Sequence, residues 1–182
     1  CGPLGWHSAM RGGRHFAEVQ ILDLGAMNGI FVGAVGGRFD PSKPGPRNRK
    51  GGEEASEAED GWMITSTGKM QHGGGPLSDG EYSMPWEGMP PTDGKTFWEP
   101  GDRLGVLVDL RPHRRSLAVY KNGARLGLAV PSGLQAPMRW AVSLFQEASV
   151  RLMKSVPLPP DVSDAQHEEE ARKTKERVAN DP

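Results

Sequence analysis

Residues 116–130, SLAVYKNGARLGLAV, read as two apolar-rich strands joined at Asn122-Gly123. A two-residue type I′ turn demands positive φ at both central positions, and Asn-Gly is the pair that accepts it most readily. A turn at that point sets the expected register. Lys121 lies opposite Ala124, Tyr120 opposite Arg125, Val119 opposite Leu126 and Leu117 opposite Leu128. Leu117, Val119, Leu126 and Leu128 then share one face, the expected core face. Tyr120 and Arg125 share the other, where the guanidinium can lie over the ring.

Similar short runs extend in both directions: HFAEVQIL (15–22), NGIFVGAV (28–35), GWMIT (61–65), RLGVLVDL (103–110), MRWAVSLF (138–145) and ASVRL (148–152). Their apolar positions alternate or run continuously, as strands do. Leu104, Val106, Val108 and Leu110 point one way, and Met138, Trp140, Val142 and Leu144 likewise share a face. No segment between them suits a crossover helix, which a parallel sheet would require. The expected fold is all-β, an antiparallel sandwich of two sheets.

Composition agrees. Of 182 residues, 25 are Gly and 16 are Pro, which suits many turns rather than a helical bundle. The net charge of −1 gives no bulk attraction to nucleic acid or membrane. No apolar run approaches the ~18 residues of a membrane span. The single cysteine, Cys1, excludes an intramolecular disulfide framework and fits a reducing, intracellular setting, cytoplasmic or nuclear. A chain opening on Cys1 rather than Met reads as a fragment of a larger protein, and the expected state is a monomeric module of it.

Two segments stand apart. Residues 36–60 carry Arg47, Arg49 and Lys50, then Glu53, Glu54, Glu57, Glu59 and Asp60, with only Phe39, Ala55 and Ala58 apolar. So polar a stretch predicts a mobile loop. The expected organisation is an N-terminal extension over 1–12, a sandwich over 13–156 and a polar tail over 157–182. In the tail, Glu168 with Arg172 and Glu169 with Lys173 have helical spacing. It lacks an apolar stripe, so a fraying, undocked helix or disorder is expected.

With these strands placed, the chain resembles a SPRY domain over roughly residues 13–152. The matching pieces fall in family order: GRHFAEVQIL, DGWMITSTGKMQHGG, EPGDRLGVLVDL, SLAVYKNGARLGLAV and APMRWAVSLFQEASVRL. The chain departs from the pattern at Ala17, where an aromatic is usual, and in the bulky basic turn RPHRR (111–115). The resemblance implies a bent two-sheet sandwich and binding rather than catalysis. Loops at one edge would take a peptide or a folded protein, as in ubiquitin-ligase adaptors, ryanodine-type channels and chromatin complexes.

Three groups of candidate site residues follow. Met70 and His72 match the family's ligand-facing loop by position. Trp86 belongs with them in a segment, 66–98, unusually rich in large apolar residues. Those residues either fold back as a lid on a sheet edge or form a binding rim. Trp62 and Trp98 read as core. Arg111, Arg114 and Arg115 make a basic turn, either solvated or suited to an acidic segment through Arg–carboxylate pairs. Phe145, followed by Gln146, ends a strand on its non-core face, either as a rim residue of the core or as a partner anchor.

Catalytic and metal chemistry find little footing. His7, His15, His72, His113 and His167 are isolated and lack metal-ligand spacing. GKMQHGGG has Met70 where a phosphate loop needs Ser or Thr, and no G-x-S-x-G elbow occurs. No cofactor is expected. The rival readings are a lectin-like, carbohydrate-binding sandwich and nucleic-acid contact through Arg38, Lys43, Arg47, Arg49 and Lys50. The acidic run that follows largely cancels the second field.

Overall fold

In the computed structural model, the described residues form ten strands in two five-stranded antiparallel sheets, followed by one helix. The structure describes residues 9–26, 28–40, 42, 55, 58–73, 83–89, 96–154 and 156–180. The strands are β1 (Arg14–Asp23), β2 (Ile30–Gly36), β3 (Gly61–Ile64), β4 (Met70–His72), β5 (Ser83–Met84), β6 (Arg103–Asp109), β7 (Ser116–Lys121), β8 (Ala124–Val130), β9 (Met138–Leu144) and β10 (Ser149–Leu152). One sheet runs β10-β1-β6-β7-β8 and the other β5-β4-β3-β2-β9. The sandwich and the eight longer strands agree with expectation. β4 and β5 were not anticipated, because two or three residues are too few to show alternation.

The main core lies between the sheets and takes alternate residues from each strand, including Leu104, Val106 and Val108 of β6 and Val142 of β9. The outer faces are also covered. Phe31, Val35, Met63 and Ala141 project from the β2 sheet and meet Ala55, Ala58 and Phe39. These are the three apolar residues of the charged connection, so part of it packs onto the sheet rather than staying mobile. Arg47, Arg49 and Lys50 lie outside the described residues.

The β7–β8 hairpin turns at Asn122-Gly123, both at positive φ. Lys121 pairs with Ala124 and Tyr120 with Arg125, as expected. Beyond that the register slips twice, so that Val119 faces Gly127, Ala118 faces Leu128 and Leu117 faces Val130. Leu126 and Ala129 are the extra residues. Each bulge moves the following residues to the other face. Leu128 therefore leaves the core face and joins Leu107, Ala118 and Tyr120 on the outside of the β1 sheet.

That outer patch is where the tail sits, contrary to the expectation of an undocked segment. Helix α1 (Asp164–Ala179) starts at Ser163, whose side chain accepts the Gln166 N–H. Glu169 pairs with Lys173 as expected, while Arg172 takes Glu169 and Glu176 rather than Glu168. Only His167 and Thr174 are buried on the helix. Docking is polar: the Thr174 hydroxyl donates to the Leu128 carbonyl at 2.7 Å, and Arg125 grips the Glu170 carboxylate at 2.8 and 3.1 Å.

Burial holds the His167 imidazole below its ordinary pKa, and the nearby Arg114 and Arg125 push the same way against Asp109 and Glu170. Arg14 and Asp161 line the same small cavity. A free tail takes up the proton as pH falls through about 6.5, whereas the docked tail resists it. Docking should therefore be strongest above pH 6.5 and weaken below it, and His167→Gln should flatten that dependence. Limited proteolysis of the 153–163 connection between pH 7.5 and 5.5 measures it.

Candidate functional site

One end of the sandwich gathers the end of β2, the starts of β3 and β9, and the end of β4. Because Trp62 and His72 are directly opposed in the β3–β4 ladder, their rings meet on one face. The rings stack with centroids 3.4 Å apart and planes within 5°. His72 Nδ1 is 2.9 Å from the Gly61 carbonyl, which fixes the imidazole in place.

Around this pair opens a groove of about 690 Å³. One wall is the β2–β3 connection, with Arg38, Glu59 and Asp60; the other is the β8–β9 loop from Gly133 to Pro137. Asp60 folds its carboxylate over Gly36, where a Cβ would lie 2.1 Å from Oδ2, so only glycine permits this approach. The same carboxylate accepts the Arg38 N–H at 3.3 Å. Arg38 and Glu59 approach within 3.9 Å, and both are exposed, so that pair contributes little rigidity. Gln135 is exposed on the opposite wall.

Only one of the expected site residues, His72, lines this groove. Met70 is fully buried in the main core, beside Met84 of the edge strand. Trp86 is also fully buried, and its indole N–H donates to the Gly68 carbonyl at 2.7 Å. Neither presents any surface to a partner. Met84, Trp86, Met89, Phe97 and Trp98 all fold inward, which is the lid alternative for this segment. Trp98 is core as read; Trp62 packs against that core too, but is half-buried and also lines the groove, a role the sequence reading missed.

The basic turn lies at the same end, since the Leu134 N–H donates to the Arg115 carbonyl at 3.0 Å. Its arginines are not simply solvated. Arg111 binds Asp109 and Asp161, each through two nitrogens. The Arg111 hydrogen bond holds the Asp161 carboxyl below its usual range. Arg114 is buried and is held by the Asp164 carboxylate and the Val162 carbonyl. An acidic segment does occupy this turn, and it is the chain's own tail. Arg115 is half-buried, in the left-handed region at φ 49°.

Phe145 and Gln146 sit at the opposite end of β9. The Phe145 ring packs on Phe31 at 5.4 Å, on the outer face, and Gln146 is exposed at φ 45°. They share no surface with the groove. Among the described residues no cluster of metal-ligating side chains occurs.

Neither a family model nor a curated protein matches the chain. Among solved structures, a human SPRY domain aligns with a TM-score of 0.55 at 19% identity, covering 86% of this chain and 94% of that one. The fold is the SPRY fold. The SPRY domain of human HERC1 aligns at a TM-score of 0.51 and 15% identity, covering 84% of this chain and 80% of that one. At such identities the shared property is the SPRY backbone, and the groove side chains must be argued on their own chemistry.

Proposed function

We propose that the chain is a non-catalytic interaction module that takes an extended peptide segment of a partner protein in the Trp62–His72 groove. The groove itself carries the reading. It is open, walled by two connections, and combines a half-exposed indole with carboxylates and an amide. Trp is the side chain most often found at binding hot spots, and the carboxylates would set the register of a basic or amide-rich peptide. Ladder hydrogen bonds hold Trp62 and His72 in place, so little ordering entropy would be lost on binding.

Selection of a displayed random-peptide library against the chain tests this. Peptides so obtained should lose about 10-fold or more in affinity, roughly 1.4 kcal/mol, on Trp62→Ala. Gln135→Ala should weaken binding less, and Gln146→Ala, at the far end, should not matter. Equal binding by wild type and Trp62→Ala, with both folded by circular dichroism, overturns the reading.

A carbohydrate ligand is the second reading, favoured by the placement of an indole beside Asp60 and Glu59. An array of immobilised glycans separates the two, because only that reading expects saturable glycan binding lost in Trp62→Ala.

A further inference from the structure

The outer face of the β1 sheet carries a second constellation, independent of the groove. Arg14, Arg111, Arg114 and Arg125 converge there from β1, the basic turn and β8. All four engage the tail: Arg14 donates to the Pro159 and Pro160 carbonyls, Arg111 binds Asp161, Arg114 binds Asp164 and Arg125 binds Glu170. Between them lies a shallow apolar floor of Leu107, Ala118 and Leu128, met from the helix by Ala171 alone.

This is not how a helix integral to a core is held. Apart from Ala171 the helix brings no apolar side chain to the patch, and its buried residues are His167 and Thr174. The attraction is polar: ion pairs through Arg111, Arg114 and Arg125, which a competing carboxylate can replace, joined by hydrogen bonds from Thr174 to the Leu128 carbonyl and from Arg177 to the Glu87 and Met89 carbonyls. The fit is also incomplete. Arg14 Nε and Arg114 Nε are buried donors without a hydrogen bond, Arg14 Nε lying 3.8 Å from the Asp161 carboxylate, and a better-placed acceptor would close that gap. Both arginines line a cavity of about 10 Å³ together with Asp161 and His167.

We propose that this arginine cradle is a receptor for an acidic helical segment of a partner protein, and that the tail is its tethered, displaceable occupant. The required ligand is a helix with carboxylates spaced as Asp164 and Glu170 and small residues at the positions of Ala171 and Thr174, preceded by a non-helical stretch that carries a carboxylate as Asp161 does. Tethering gives the tail a high effective concentration, so a partner must exceed it in affinity or arrive when the tail is loosened.

The test keeps the full chain and introduces a protease site between Pro157 and Leu158, the latter exposed. After cleavage, a fluorescein-labelled peptide of residues 158–180 should exchange into the cradle saturably, read by anisotropy, with the sandwich still folded by circular dichroism. Affinity should fall at least tenfold when the peptide carries Asp164→Asn with Glu170→Gln, changes that leave the receptor untouched. A second peptide keeps only Asp161, Ser163, Asp164, His167, Glu170, Ala171, Thr174 and Arg177, with Ala, Gln and Lys elsewhere. It should bind within about tenfold of the first. Failure of the cut tail to exchange, unfolding of the sandwich on cleavage, or binding by the native peptide alone overturns the proposal. Tail-exchanged dimers of the uncut chain would also overturn it, and assign the cradle to a second copy.

Discussion

Trp86→Ala is expected to lower the stability of the sandwich by about 3–5 kcal/mol, and with it the thermal midpoint by roughly 6–20 °C. The indole has no exposed surface. It lies edge-on to Phe97 at 6.5 Å, and its N–H closes onto the Gly68 carbonyl in the β3–β4 turn. Truncation thus opens a cavity and leaves a buried carbonyl short of its donor. Its backbone neighbour Gly88 meets β8, where an added Cβ would lie 2.1 Å from the Leu126 carbonyl. The segment 83–89 therefore links the edge of one sheet to β8 of the other. Differential scanning calorimetry measures the shift. A fall of less than 2 °C, accompanied by lost peptide binding, would return Trp86 to the ligand-facing surface.

That contrast shows which parts of the molecule the sequence makes legible. A turn such as Asn122-Gly123 is written locally, because positive φ at two adjacent residues narrows the choice of side chains. The alternation of β6 and β9 is equally local. The double slip in β8 is not, since nothing in ARLGLAV distinguishes a regular strand from one bulged at Leu126 and Ala129. Regular alternation consequently puts Leu128 on the core face, whereas the bulged strand turns it outward.

The same limit governs the site. Met70 and Trp86 look available in a loop-rich stretch, yet both satisfy an apolar core. Trp62 looks like core within GWMIT, yet stands where the sandwich opens. What decides is proximity to the end of a sheet, and the position of β4 was hidden by its length. The docking of the tail is hidden in the sequence because an amphipathic stripe is periodic and visible, whereas ion pairs between residues 45–50 apart carry no period. RPHRR did suggest an acidic partner. That part of the partner lies in the same chain emerged only from the fold.

Reversing one of those pairs should detach the helix. Arg125 and Glu170 are both largely shielded, with side chains 15% and 17% exposed, and the contact is two-pronged. Burial alone would raise the Glu170 carboxyl, but the hydrogen bonds from Arg125 and Gln166 and the Arg125 charge together outweigh it and hold the group below its ordinary value. Arg125→Glu would set two carboxylates against each other in a poorly solvated site and remove the donor to the Tyr120 hydroxyl at 2.9 Å. Breaking a buried pair in this way costs about 3–5 kcal/mol, enough to release a helix held by few apolar contacts. The expected result is rapid cleavage of the 153–163 connection by added protease, with the thermal midpoint of the sandwich changed far less than by Trp86→Ala. The reversed pair, Arg125→Glu with Glu170→Arg, should recover much of the protection, because it restores opposite charges at nearly the same positions. Hydrogen exchange of the α1 amides distinguishes the two variants. Protection equal to wild type in Arg125→Glu alone would mean that Thr174, Arg114 and Arg177 suffice to seat the helix without this ion pair.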